Sequence, residues 1–468
     1  MPKVWFRVAL VNLLIAATMG VILRYAFVEE LTWLKFRFFL HGHSHVAMLG
    51  WAYLALYALL MSGFLPQEQQ RSRFYRDVFL LSQAAVIGML IAFPVQGYAA
   101  WSIAFSTLHV LASYAFAWRF WKDIRGQCGL PVLFVRAALL FMLFSTLALW
   151  AMIPIMIFGY QQKIIYYLTV QFYLHFQFNG WFTFAVLGLF FQLLKNRNIP
   201  GFGRADAEAG NGKPEMGSRK PEGRRQRTTN TRFLPRLRYR SSGQASAFRL
   251  PPSAFAPRLA RPFFWLLLVS SFFTYALAVA WSEPLPAVFA ANSLGVTLQL
   301  AAMVFFALLV VNAHKDLHQQ LGGWGFLLVK IAFACFALKV LMQAAVVIPH
   351  IATVAYTIRN FVIGFIHLVL LGVITQFILG YATLNGVLSV RSRLSRLGMG
   401  LLLAGFFGSE LLLFLQGTLF WGAKGFLPYY YEGLFGVSLL MPAGVLGVLL
   451  GEAKCKGGMR NAEGGMQG

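Results

Sequence analysis

Three histidines in five residues, His41-Gly42-His43-Ser44-His45, open the second long apolar stretch of the chain. Imidazole is a frequent ligand of iron, copper and zinc, and the usual axial ligand of haem iron. Three further histidines, His109, His175 and His367, each stand alone in an apolar run. Groups of this kind are expensive inside a bilayer and are kept where they face a bundle interior and bind something. The chemistry to expect is ligation of a metal or a haem within a membrane.

The elements that must position these residues follow from composition. Of the 468 residues, 59% are apolar and only 12% charged, and mean hydropathy is +0.65. Roughly twelve stretches reach the ~20 apolar residues that a ~30 Å hydrocarbon core requires. A backbone in lipid must satisfy its own hydrogen bonds, so each stretch is a helix. The expected fold is an all-α polytopic membrane helix bundle of about 12 transmembrane helices. Their ranges are near 5–27, 36–64, 76–94, 98–121, 132–159, 165–194, 262–282, 286–312, 324–348, 358–384, 396–417 and 430–451. The first reads as an anchor, because it has no small-residue cleavage site.

The net charge of +25 sorts by side of the membrane. Lys3 and Arg7 precede the first span. Arg71, Arg73 and Arg76 follow the second, and Arg119, Lys122 and Arg125 follow the fourth. Lys315 follows the eighth, Arg391, Arg393 and Arg396 the tenth, and Lys454 and Lys456 the last. The other loops are poorer in basic residues. This alternation places both termini in the cytoplasm and points to a bacterial inner membrane. Between Lys195 and Arg261 lie sixteen Lys/Arg and four Asp/Glu among Pro, Gly and Ser. No core can form from such a composition, and a disordered cytoplasmic linker in contact with membrane lipid is expected. It lacks the interleaved aromatics of a nucleic-acid platform. The chain therefore divides into a six-helix block over 1–194, a linker over 195–261, a second six-helix block over 262–452 and a tail over 453–468. Cys128, Cys335 and Cys455 have no paired spacing, which excludes CxxC redox or thiolate zinc sites.

Alternation converts position into depth. His41 and His45, His109, His175 and His367 each fall in the outer half of their spans, on the second, fourth, sixth and tenth. Ten residues of helix are ~15 Å. His41 and His45 share a helical face, whereas His43 points roughly opposite. Either the pair or His43 is the ligand, and the order alone does not choose. His45, His175 and His367 are each followed five residues later by glycine: Gly50, Gly180 and Gly372. A glycine there lets a flat macrocycle or a neighbouring helix approach closely. His314 and His318 read as interfacial, as does His350, which otherwise could support the site from outside. Lys339 and Glu410 are the clearest intramembrane charges and could pair.

With histidines on the second, sixth and tenth of twelve spans, the chain resembles subunit I of the haem–copper oxidase superfamily, the terminal oxidases and nitric-oxide reductases. The run Phe365-Ile366-His367-Leu368 is similar to that family's tenth-span His-x-His motif, with Phe365 in place of the first histidine. His43-Ser44-His45 and Leu49-Gly50-Trp51 are similar to a displaced copy of the same pattern. The resemblance implies that a second-span histidine and His367 hold a low-spin haem, and that His175 matches a sixth-span metal ligand. The seventh span, 262–282, has no histidine, and Asn179 rather than tyrosine stands four after His175. The likeness thus stops short of a complete oxygen-reducing centre. A weaker likeness is to haem- and copper-containing membrane proteins of the bacterial nitric-oxide response.

The expected function is a b-type haem membrane protein in electron transfer or in nitric-oxide- or oxygen-linked redox chemistry, with haem b bound and copper not. Ligand candidates are His41, His43, His45 and His367, with His175 and His109 as further metal-capable groups. Arg37 and Arg359, with Lys35, lie at the helix mouths where haem carboxylates would emerge. A cytochrome or a quinone would be the redox partner. The alternative is a multi-pass transporter or metal-handling permease, suggested by two blocks around a basic linker.

Overall fold

The computed structural model describes residues 1–200, 202, 252–280 and 285–464, and the side chains of all of these except 252–257 and 454–464. Among them there is no strand, and twelve helices are long and apolar enough to cross a membrane. They are α1 Pro2–Tyr25, α2 Phe36–Phe64, α3 Arg73–Gln96, α4 Ala100–Asp123, α5 Leu130–Ile157, α6 Ile164–Asn196, α7 Arg258–Ala280, α8 Pro286–Gln320, α9 Gly323–Ala345, α10 Arg359–Leu384, α11 Arg393–Trp421 and α12 Tyr430–Ala453. The protein is an all-α polytopic helix bundle. Most of the basic segment over 195–261 falls outside the described residues. The helix containing α7 begins at Pro252, and the one containing α12 runs on to Gly464, so helix extends into both stretches read as linker and tail.

Packing groups the helices by fours. In α1–α4, α5–α8 and α9–α12 alike, the first helix lies along the second and the second leans on the third. The third helix also pairs with the fourth: α3 with α4, α7 with α8 and α11 with α12. α12 returns against α1, where Arg7 grips Glu452 at 2.7 and 3.0 Å. The second helices, α2, α6 and α10, meet one another at the centre.

Each central helix changes character at its histidine. Directly after His45, His175 and His367 the backbone widens into π-helical turns, over Val46–Tyr53, Phe176–Phe182 and Leu368–Thr375. Such turns inside α-helices frequently mark functional sites. Before the histidine the helix is partly accessible, with only Gly42 buried over 37–45 and only Gly364 over 361–367. After it, every residue over 46–61 is buried, as is every residue over 176–194 except Asn179. The half of the bundle that holds Met1, here the near half, is therefore solid at its centre. The far half is looser, and the histidines stand at the boundary.

The glycine five residues on sits in each π segment. A methyl group on Gly50 would come within 2.9 Å of Val86 on α3 and 3.2 Å of Asn12 on α1. On Gly180 it would meet Phe141 of α5 at 2.5 Å, and on Gly372 it would meet Phe406 of α11 at 2.8 Å and Cys335 of α9 at 3.0 Å. In each group the glycine lets the first helix reach the second. Close helix approach, rather than room for a macrocycle, is what these three residues provide.

Candidate functional site

The histidines share a level. From the far-end start of its helix, Phe36 to His45, Ala100 to His109, Ile164 to His175 and Arg359 to His367 are each roughly ten residues, about 15 Å. They divide among three faces.

His43 turns to α1. Its Nδ1 lies 2.9 Å from the Ala16 carbonyl oxygen, and its ring rests over Gly20, where a Cβ would come within 3.2 Å of Cε1. A carbonyl only accepts, so Nδ1 carries the proton and Nε2 keeps its lone pair, the ligand-competent tautomer. His43 is within electrostatic reach of His367, and both are within reach of Arg24 in the last turns of α1. His367 Nδ1 is buried without a hydrogen bond, 3.8 Å from Glu410 Oε1 on α11. Both carboxylate oxygens of Glu410 likewise lack a partner. The acid favours a proton on Nδ1 and again leaves Nε2 free. Arg24 is also within electrostatic reach of Tyr430, Glu410 and Arg359. Sequence reading missed Arg24, because a lone arginine at the end of a span looks like an interfacial anchor.

His41 and His45 face α3. The His45 ring lies tilted against Phe93 with centroids 4.2 Å apart, and Tyr98 stands edge-on to His41 at 4.7 Å. His45 Nδ1 is 2.9 Å from the carbonyl of His41 one turn back. Arg37 belongs here, within reach of His41 and Tyr98, and so lies on a different face from Arg359. Tyr98 sits in the turn between α3 and α4, where burial pushes its phenol up to about 12 despite Arg37. His109 is buried behind, edge-on to Tyr53 at 4.7 Å, with Nε2 unpartnered.

His175 has both ring nitrogens engaged. Nε2 lies 2.8 Å from the Ser271 carbonyl of α7, and Nδ1 is 3.3 Å from the amide nitrogen of Asn179. As placed, it offers no free lone pair to a metal. No group of three or more His, Cys, Asp or Glu side chains suited to a metal ion occurs among the described residues. Lys339 and Glu410 form no ion pair there; Glu410 instead faces His367. His314 and His318 lie at the near end of α8, ring to ring at 5.4 Å, and His350 lies beyond α9 near Trp421. None of the three joins the central cluster.

The donor set of the first face suits a haem. It offers two imidazoles from different helices, each with Nδ1 turned to an oxygen, and arginine beside them. Compared with known proteins, the chain matches no family model and no curated sequence.

Proposed function

We propose that this chain is a b-type haem protein of the membrane, with the iron held between His43 and His367, working in electron transfer or in nitric-oxide- or oxygen-linked redox chemistry. The reading rests chiefly on one observation: His43 and His367, from α2 and α10, stand within electrostatic reach of each other with Nδ1 of each turned to an acceptor. A haem so ligated would supply one-electron chemistry, or gas binding if one bond is labile. The Ala16 carbonyl fixes the His43 imidazole, Glu410 stands 3.8 Å from that of His367, and Arg24 and Arg359 suit the carboxylates of the macrocycle. His41, His45 and His109 belong to an aromatic face behind the site.

The basic ends at Lys3, Arg125 and Arg396 support a near end facing the cytoplasm of a bacterial inner membrane. A quinone or cytochrome would then exchange electrons at the far half. Grouping of the helices by fours gives less support to a transporter built of two halves.

An optical spectrum of the purified protein, oxidised and dithionite-reduced, tests the reading. Soret and α bands of a low-spin b haem are expected, with the α band lost in His43→Ala and in His367→Ala but retained in His175→Ala. A preparation made with haem supplied that carries no haem would overturn it.

A further inference from the structure

A second polar site lies in the seam of α6, α7, α8 and α9, away from the His43–His367 face. Its floor is aromatic. Phe306 of α8 touches Phe263 of α7 at 5.1 Å, Phe190 of α6 at 5.9 Å and Phe336 of α9 at 6.2 Å between ring centroids. Two helical turns toward the far end, about 11 Å, each of the three helices α7, α8 and α9 replaces its phenylalanine with a polar residue: Ser270, Gln299 and Gln343. One turn above Phe336 stands Lys339, its ammonium 5.8 Å from that ring.

These side chains are enclosed yet unpaired. Gln299 and Lys339 are each 2% exposed and Gln343 is 7%. Gln299 Oε1 and Gln343 Oε1 have no partner. Neither amide nor the Lys339 ammonium makes a hydrogen bond or ion pair to a described residue. Ser270 gives its proton to the Leu267 carbonyl. The titratable group within reach of Lys339 is His175, already tied to Ser271.

A buried ammonium with no counter-charge is strongly unfavourable, and so is a buried amide with no partner. One ligand can take a hydrogen bond from each of the three. The ammonium supplies a single positive charge, and the amides can turn their NH2 groups inward because the two ends of an amide are nearly isosteric. An ammonium and two amide donors over an apolar floor form a cradle for one small monovalent anion. We propose that Lys339, Gln299 and Gln343 bind such an anion, a halide or a planar oxyanion of nitrite size. Divalent sulfate mismatches the single charge, and a large organic anion exceeds the enclosure.

Calorimetric titration of the purified full chain, held in gluconate, with chloride, bromide and nitrite tests this. Saturable binding of one anion per chain is expected, and the order of the three affinities shows whether a halide or an oxyanion fits best. Lys339→Met should weaken binding by about 30-fold or more, the usual penalty for removing one side of a buried charge pair. Lys339→Arg should restore it to within about a factor of three, and Gln299→Leu gives a second test without touching the charge. His43→Ala should leave binding unchanged, which separates this site from the haem reading. No saturable binding in the wild type, full binding in Lys339→Met, or loss of binding in His43→Ala would each overturn the proposal.

Discussion

Trp51 Nε1 donates to Thr375 Oγ1 at 2.8 Å, a buried bond that ties α2 to α10. The two residues lie six and eight places after His45 and His367. The corresponding pair one group round is Trp181 and Tyr53, with ring centroids 6.1 Å apart. There the indole nitrogen and the phenol oxygen are both buried and unpartnered. The central helices thus interlock in a partial pinwheel just below the histidines.

Removing the hydroxyl in Thr375→Val leaves a buried indole N–H without an acceptor. Bonds between membrane helices average ~0.6 and reach ~1.7 kcal/mol, and this one, fully buried, should fall in the upper part of that range. Trp51→Phe should destabilise through lost volume as well. A thermal-unfolding double-mutant cycle on the two positions in detergent should give a coupling of about 1 kcal/mol, and additivity would show that the bond contributes nothing.

The glycine repeat predicts a graded response. Gly180→Ala forces a methyl to within 2.5 Å of Phe141, which is itself ringed by Phe176, Phe184 and Phe272 and has nowhere to move. Overpacking of this kind costs about 1–3 kcal/mol. Gly400→Ala on α11, with nothing within 4 Å, should be neutral or stabilising by up to ~1 kcal/mol through helix propensity. Melting temperatures of the two variants check the contrast.

Much of this architecture was legible in residues 1–194 and 262–452, because a bilayer converts length and hydropathy directly into spans. Ends were less so: α8 continues to Gln320 past the expected 312, since a helix does not stop where its polar face begins. The common level of His45, His109, His175 and His367 could be read from alternation alone. Which histidine faces which helix could not. The apolar and polar faces over 36–45 are distinct, but they do not say which neighbouring helix each face meets, so they do not orient His43 toward Ala16 and Gly20. The π segments were also hidden, because five-residue spacing from histidine to glycine signals a close contact without specifying the backbone that achieves it.

The Arg7–Glu452 contact joins the two ends of the chain. Glu452 has only 5% of its side chain exposed and receives both Nε and Nη2 of Arg7. Arg7→Met leaves an enclosed carboxylate uncompensated, which costs about 3–5 kcal/mol. Replacing both partners in Arg7→Met/Glu452→Leu should recover most of that loss. Urea or thermal unfolding of the three variants decides it; a double variant no better than Arg7→Met would show that the pair is needed for more than charge balance.

Copper should not bind at the level of His175. A copper site of this kind needs several neutral imidazoles with free lone pairs on converging helices. His175 spends Nε2 on the Ser271 carbonyl and receives Asn179 at Nδ1, while the described part of α7 has no histidine and Phe365 stands two residues before His367. His109, the other buried imidazole at this level, faces Tyr53 and lies within reach of His45 rather than His175. To recruit it, α4 would have to cross the packed centre formed by Tyr53 and Trp181. Elemental analysis of the purified protein should therefore give iron without stoichiometric copper, and an oxygen electrode should record no cyanide-sensitive uptake with an artificial donor. One copper per chain, lost in His175→Ala, would show that His175 exchanges its two hydrogen bonds for a metal and that α6 turns at its π segment to bring it there.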